Sequence, residues 1–243
     1  MRLLSNFAIL LRGFFFPQVC GLCDGSLSAT DEMRIGLCRE CYGLLIRSSI
    51  TLDKGQKCNL CGKPLISEKD ICLSCRNSQN SSYDKLWVLF PYTGKLRKLL
   101  SAYKFKKNLN LADFFAEKVL DIISGVSELK DAILVPVPPR PGKIKENGWD
   151  QVDYLVKRLL KQSSGSIKVQ NCLKRRKSKV QKSLDRIERM ENLKGRIYLH
   201  KTSPKTVLII DDVITTGSTI EVCSAVLKEN GAEKVYGLAL FYD

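Results

Sequence analysis

Beyond residue 83 the chain alternates between aliphatic runs and segments with helical spacing of apolar positions. The aliphatic runs predict strands over 87–92, 132–137, 206–213 and 234–242, with a short one at 196–200. The helical spacing predicts helices over 95–107, 109–124, 150–162 and 218–230. Because aliphatic strands separated by helices are typical of parallel sheets covered on both faces, we predict an α/β fold that binds ligands at the carboxyl ends of its strands.

The first part of the chain has a different pattern. Leu4, Phe7, Leu11 and Phe15 follow helical spacing and predict an amphipathic helix that docks on the body of the protein. Arg12 interrupts this apolar run and no small-residue cleavage site follows it, so a secretion signal is not expected. A polar run over 77–82 predicts a linker. We therefore expect two units, residues 1–82 and 83–243.

Eight of the ten cysteines lie before residue 76 and form four C-x-x-C pairs. The pairs are Cys20/Cys23, Cys38/Cys41, Cys58/Cys61 and Cys72/Cys75. This spacing predicts two structural zinc sites of four thiolates each, in a double zinc ribbon. A disulfide framework is the alternative, but it suits neither the repeated two-residue spacing nor the lack of an export signal. Sequential pairs are the simplest grouping around each ion, and crossed pairs are also allowed.

Charge adds an expectation about partners. The chain of 243 residues has 40 Lys plus Arg against 25 Asp plus Glu, a formal net charge of +15. Such an excess favours polyanionic partners and excludes an acidic, self-solvating chain. Hydrophobic residues make up 44% of the sequence, yet no uninterrupted apolar stretch is long enough to span a membrane. We expect a cytoplasmic globular protein with no integral membrane segment.

The most specific stretch of the sequence is the run from Val207 to Ile220. An aliphatic strand ends in Asp211 and Asp212, and a turn rich in hydroxyls then enters a helix. The turn consists of Thr215, Thr216, Gly217, Ser218 and Thr219. Backbone N–H groups at a helix start can bind a phosphate, and two carboxylates beside it can hold vicinal hydroxyls. An ordinary capped helix explains one hydroxyl but not the whole set. The stretch predicts a sugar-phosphate site.

This run resembles the phosphoribosyl pyrophosphate (PRPP) motif of type I phosphoribosyltransferases. The resemblance implies that Asp211 and Asp212 bind the ribose hydroxyls, that the loop at 215–219 takes the 5′-phosphate, and that Mg²⁺ accompanies PRPP. A proline-rich turn after an earlier strand would then be the pyrophosphate loop. That turn contains Val137, Pro138, Pro139 and Arg140.

Nearly the whole chain resembles the ComF family of competence and DNA-utilisation proteins, which are relatives of phosphoribosyltransferases. Other matching stretches are Phe16-Pro17, Tyr92-x-Gly94, Tyr103-Lys104-Phe105, Val135-Pro-Val-Pro138 and the basic segment from Leu173 to Gln181. One departure matters: the family usually has Arg, a candidate pyrophosphate contact, where this chain has Asn147. The resemblance implies a double zinc ribbon followed by a type I phosphoribosyltransferase-like domain.

Two basic clusters are candidate DNA contacts. One combines Lys104, Lys106 and Lys107 with the aromatic residues Tyr103 and Phe105, a combination that suits phosphate contacts and base stacking on a single strand. An amphipathic helix with solvated lysines explains this cluster equally well. The other cluster includes Arg175, Arg176 and Lys177, in the segment that the resemblance identifies as a mobile loop over the active site.

Three functions remain open from the sequence. The first is a PRPP-binding protein that assists the handling or uptake of single-stranded DNA in natural transformation. The second is an active phosphoribosyltransferase that acts on a nitrogenous base or nucleotide precursor. The third is an adaptor whose zinc ribbons dock a competence helicase. The single histidine, His200, has no partner in the sequence and reads as a structural or surface residue.

Overall fold

The computed structural model describes residues 18–49, 57–65, 67–77, 81–177 and 191–243. Its centre is a four-stranded sheet in the order β1, β6, β5, β2, and every neighbouring pair is parallel. These strands are β1 (Lys85–Pro91), β2 (Ile133–Pro136), β5 (Thr206–Ile214) and β6 (Lys234–Tyr242). A separate antiparallel hairpin pairs β3 (Leu173–Arg175) with β4 (Ile197–Leu199). The parallel α/β fold class predicted from the sequence is confirmed.

Eight α-helices accompany the strands within the described residues. They are α1 (Thr30–Ile35), α2 (Arg39–Arg47), α3 (Leu73–Asn77), α4 (Gly94–Lys104), α5 (Leu111–Gly125), α6 (Lys143–Asn147), α7 (Gln151–Gln162) and α8 (Ser218–Glu229). A short 3₁₀ turn covers Ser127–Leu129. Asp150 caps α7, since its carboxylate accepts hydrogen bonds from the backbone N–H groups of Val152 and Asp153. The predicted helix at 95–107 ends early, because Lys107 takes a left-handed backbone with φ of 53°.

Both faces of the sheet are buried. Successive side chains of each strand point to opposite faces, so each strand contributes to two apolar layers. Leu208 and Ile210 of β5 belong to one apolar cluster, and Val207 and Ile209 belong to another. The first cluster includes the aromatic side chains of α5, and the second includes α8. The continuous aliphatic strands in the sequence are therefore explained by two separate apolar layers.

The cysteine-rich segments pack against the sheet domain on both of these layers. Cys20 and Cys41 lie in the first apolar cluster, whereas Cys58 and Cys61 lie in the second. On the second side, the Leu60 carbonyl accepts a 2.7 Å hydrogen bond from the N–H of Leu86 in the edge strand β1. The contact of both cysteine segments with the sheet is extensive, and the boundary at residue 82 stays a prediction. The predicted N-terminal helix, whose apolar positions run from Leu4 to Phe15, lies outside the described residues.

Candidate functional site

The acidic pair lies at the carboxyl edge of the sheet. Asp211 and Asp212 are inside β5, which continues to Ile214, and Asp211 is in register with Ala239 of β6. At the same level, the N–H of Val137 donates a 3.0 Å hydrogen bond to the Ile210 carbonyl. The proline loop, Val137 to Arg140, therefore begins beside the acidic pair, as the sequence predicts for two neighbouring parallel strands.

Asp212 is buried and has two side-chain partners from distant parts of the chain. Lys104, the last residue of α4, approaches its carboxylate to 2.9 Å, and the Gln151 amide also donates to it. The backbone carbonyl of Gln151 accepts a 2.6 Å hydrogen bond from the buried Tyr103 hydroxyl, which fixes the start of α7. Burial alone would raise the pKa of Asp212, but the Lys104 ammonium and these hydrogen bonds outweigh it and hold the pKa below its ordinary value.

Asp211 has the opposite electrostatic environment. Close packing and the neighbouring negative charge of Asp212 raise the pKa of Asp211 well above its ordinary value, although part of its surface is accessible to solvent. A carboxylate oxygen of Asp211 accepts a 2.8 Å hydrogen bond from the Asp212 N–H. The two acids are therefore unequal: Asp212 forms an ion pair with Lys104, whereas among the described residues no lysine or arginine lies within ion-pair distance of Asp211.

The hydroxyl-rich loop joins β5 to α8. Gly217 precedes the first residue of α8 with φ of 77°, a left-handed backbone that glycine adopts without steric cost. The hydroxyls of Thr216 and Ser218 lie 2.8 Å apart, and Ser218 is the first residue of α8. This order of strand, acidic pair, tight turn and helix is the one that the sequence predicts for a phosphate site.

These groups enclose a cavity of about 330 Å³, called the acid cavity below. Its walls include Asp211 and Asp212, Thr219, the proline loop, Lys104, Gln151 and Arg175. Among the five predicted residues of the hydroxyl loop, Thr219 is the one that lines it. The sequence predicted the acids and both loops as site residues but not Gln151, whose only signal is its place in the family-like stretch from Asn147 to Gln151.

Two residues of the predicted site have particular surroundings. Arg140 pairs with Glu146 in an exposed ion pair at the mouth of the acid cavity. Asn147 lines the same cavity, so the departure from the family pattern that the sequence analysis singled out borders the candidate site. The structure thus brings the arginine of the proline loop and the neutral amide of Asn147 to the same cavity.

The first candidate DNA cluster is divided by the structure. Tyr103 is fully buried and Lys104 faces Asp212 in the acid cavity, so neither lies on an open surface. Phe105, by contrast, is 72% exposed, and the adjacent Lys106 and Lys107 are exposed as well. The open part of the cluster is therefore Phe105, Lys106 and Lys107, called the Phe105 patch below.

The second basic cluster begins at the hairpin of β3 and β4. Arg175 lines the acid cavity, and burial lowers its pKa while the charge of Asp211 opposes that shift. Arg176 and Lys177 are exposed. The remainder of the predicted mobile loop, residues 178–190, lies outside the described residues.

The eight cysteines form two tetrads in sequential grouping. One contains Cys20, Cys23, Cys38 and Cys41, and the other contains Cys58, Cys61, Cys72 and Cys75. The four sulfur atoms of each tetrad lie within 4.8 Å of one another, and Cys23 Sγ is 3.8 Å from Cys38 Sγ. Zinc–sulfur bonds of about 2.3 Å at tetrahedral angles separate sulfurs by about 3.8 Å. Each tetrad can hold one metal ion, and its all-thiolate donor set suits structural zinc.

Backbone contacts also shape the second tetrad for a metal. The Cys58 sulfur accepts hydrogen bonds from the N–H groups of Cys61, at 3.5 Å, and Cys72, at 3.4 Å. Such donors stabilise a thiolate and orient it toward a shared ion. Cys172 and Cys223 lie apart from both tetrads and are buried.

In the part of the chain that the structure describes, no helix is both long and apolar enough to cross a bilayer.

Several curated proteins are similar to this chain in sequence over most of its length. Competence protein ComFC of Streptococcus pneumoniae is 28% identical over 76% of this chain and 80% of its own length. Competence protein F of Haemophilus influenzae is 28% identical over 93% of this chain and 98% of its own length. DNA utilization protein YhgH of Salmonella typhimurium is 27% identical over 90% and 94%, respectively. These homologues confirm the ComF resemblance found in the sequence.

Comparisons with protein-family models and with solved structures are less informative than the curated relatives. No protein-family model matches the chain. A hypoxanthine phosphoribosyltransferase structure from Staphylococcus aureus covers 56% of this chain and 62% of its own, at 15% identity and a TM-score of 0.34. A likeness this distant carries no argument, and the fold assignment rests on the strand order and register of the chain itself.

Proposed function

We propose that the chain binds PRPP with Mg²⁺ in the acid cavity and handles single-stranded DNA as part of DNA uptake. The observation that carries the first half is the meeting of the acidic pair, the hydroxyl loop and the proline loop around one cavity. The proline loop is far from the other two segments in the sequence, and its convergence with them is what a ligand with a ribose and two phosphate groups requires.

Each part of the ligand has a counterpart in this cavity. Asp211, which forms no ion pair within the part of the chain that the structure describes, offers a carboxylate for the ribose hydroxyls or a hydrated Mg²⁺ ion. The hydroxyl loop and the start of α8 suit the 5′-phosphate, because helix N-termini attract anions. Arg175 and Lys104 supply positive charge for the pyrophosphate. On ligand binding, the Lys104 ammonium would leave the Asp212 carboxylate and contact the pyrophosphate instead.

Calorimetric titration with Mg²⁺ and PRPP tests this half of the proposal. We expect saturable binding to the wild-type chain and none to the double variant Asp211→Asn, Asp212→Asn. Asp131→Asn is the matched control, since Asp131 is an exposed acid just before β2. Wild-type binding that persists in the double variant would refute the site. Pyrophosphate release measured on the same samples separates a transferase from a binding protein.

The DNA half rests on the printed names of the relatives, a competence protein and a DNA utilization protein, together with the Phe105 patch. An exposed aromatic ring between lysines can stack on a base while the lysines contact phosphates. The net charge of +15 favours the same partner. The tetrads pack against the sheet domain, and this packing supports a role in stabilising the sheet rather than in docking a helicase.

Fluorescence anisotropy with a labelled single strand tests the DNA half. We expect the pair Lys106→Ala, Lys107→Ala to weaken binding and to reduce the salt slope by about 1.4, which corresponds to about 0.7 per lost phosphate contact. The control is Lys130→Ala, Lys161→Ala, which removes two exposed lysines elsewhere. Equal effects of both pairs would leave only non-specific attraction and would contradict the patch.

A further inference from the structure

A second and larger cavity adjoins the acid cavity. Its volume is about 480 Å³, within the range of small-molecule sites of about 300–1,000 Å³. The proline loop and Arg175 line both cavities, so they form a common wall. The outer walls come from α6 and from the hairpin of β3 and β4, including Tyr198. We call it the tyrosine cavity.

Much of its lining can contact a flat apolar ligand. Prolines of the common wall, Leu173 and Ile144 contribute aliphatic surface, and Ile144 is 50% exposed although it is apolar. Tyr198 supplies the aromatic ring. The guanidinium of Arg176 lies 4.8 Å from the centre of this ring, so one face is already covered by a cation that restrains it.

Two polar side chains of the wall can recognise the edge of such a ligand. His200 Nδ1 is 2.8 Å from the carbonyl oxygen of Cys172. A carbonyl only accepts, so Nδ1 carries the proton and Nε2 of the neutral ring is an acceptor. The amide of Asn171, on the same wall, offers both a donor and an acceptor.

The charges around the cavity favour an anionic group on the ligand. Its two acids are each paired, Asp150 with Lys143 and Asp153 with Lys157. Lys145 and Lys174 also line it, and among the described residues neither has an acidic side chain within ion-pair distance. The cavity therefore combines apolar walls and an aromatic ring with an excess of positive charge.

We propose that the tyrosine cavity binds the base of a nucleotide, with Tyr198 stacked on the base and Lys145 and Lys174 beside its phosphate. This inference rests on the proposed function and deepens it, since it gives a position for a base next to the PRPP cavity. A free nucleotide and an unpaired base of single-stranded DNA share this chemistry.

Calorimetric titration of the full chain with deoxyadenosine monophosphate is the direct test. We expect Tyr198→Ala to weaken binding at least about fivefold, the lower end for loss of base stacking, and Tyr198→Phe to retain it. Lys145→Ala with Lys174→Ala provides a second variant on another wall and should also weaken binding. Unchanged affinity in both the Tyr198→Ala and the lysine variants would overturn the proposal, as would the absence of wild-type binding.

Two further arms separate the sources and the two sites. The first arm is competition between the nucleotide and a twenty-residue oligothymidine. Competition that is lost in Tyr198→Ala would assign the cavity to bases of a single strand. Nucleotide binding without competition would assign it to free nucleotides. The double variant Asp211→Asn, Asp212→Asn should lose PRPP but retain the nucleotide. If the wild-type chain binds the nucleotide but not PRPP, the proposed function alone is refuted. If it binds PRPP but not the nucleotide, the proposal for the tyrosine cavity alone is refuted.

Discussion

The cysteine tetrads and the acid cavity both concentrate ionisable side chains, but they differ in how those side chains are gathered and balanced. Each tetrad takes its ligands from a stretch of about twenty residues or fewer and packs on an apolar layer of the sheet. The acid cavity takes its walls from segments between Lys104 and Thr219, and the pKa of its Asp211 is raised by close packing and by the charge of Asp212. We expect the first arrangement to stabilise the fold through a bound metal, and the second to cost stability in exchange for a ligand site.

This difference predicts stability changes of opposite sign for substitutions in the two regions. The largest effect is expected at a tetrad. Cys58→Ser should remove one of two zinc ions per chain and lower the thermal midpoint by about 10 °C or more, because metal binding is coupled to folding. Elemental analysis and thermal denaturation measure both effects. Cys172→Ala, a buried cysteine outside the tetrads, should retain both ions. Two ions per chain in Cys58→Ser would contradict the assignment.

A smaller effect is expected where the second tetrad meets the sheet. Gly62 and Gly217 both have positive φ, 69° and 77°, so alanine should cost each about 1–2 kcal/mol. At Gly62 the added Cβ would also lie 2.9 Å from the Leu86 carbonyl oxygen, whereas at Gly217 nothing lies within 4 Å. Urea unfolding should therefore show a larger loss for Gly62→Ala. Equal losses of unfolding free energy would mean that the contact between Gly62 and the Leu86 carbonyl of β1 does not constrain the second tetrad.

The smallest effect should have the opposite sign. The raised pKa of Asp211 means that folding disfavours its charged form, so the stability of the wild type falls as pH rises through that pKa. Asp211→Asn avoids this loss. We expect a thermal midpoint about 2–4 °C above the wild type at pH 8, which corresponds to about 1 kcal/mol, and a smaller difference at pH 4.

Thermal scans of Asp211→Asn and of the exposed control Asp131→Asn at both pH values measure this difference. The control should follow the wild type throughout. A destabilised Asp211→Asn chain at pH 8 would show that the acid cavity contributes to folding as the tetrads do, and the comparison would then fail.

Sequence patterns predicted the parts of the molecule that depend on neighbours along the chain. The final strand, Lys234–Tyr242, agrees with its prediction at both ends, because a continuous apolar run buried on two faces leaves no ambiguity. The sequential grouping of the cysteines was also the simplest interpretation of their spacing. In both cases the determining contacts are local or repeat with a fixed period.

The contacts of Asp212 could not be predicted in this way. Its partners Lys104 and Gln151 are 108 and 61 residues away along the chain, and periodicity gives no information about such pairs. Lys104 instead looked like one more member of a basic surface cluster, because it is adjacent to Lys106 and Lys107. The end of α4 at Lys104, with the left-handed backbone at Lys107, separates these neighbours in space.

The two tryptophans of the chain lie in these two contrasting regions. Trp87 of β1 borders a small cavity beside Cys58 and Gly62, whereas Trp149 contacts Tyr103 and Tyr154 next to the start of α7. Replacing either one with phenylalanine leaves a single indole fluorophore. Emission from Trp87 would then follow metal loss and emission from Trp149 would follow ligand binding, so the chain contains a separate optical reporter for each region.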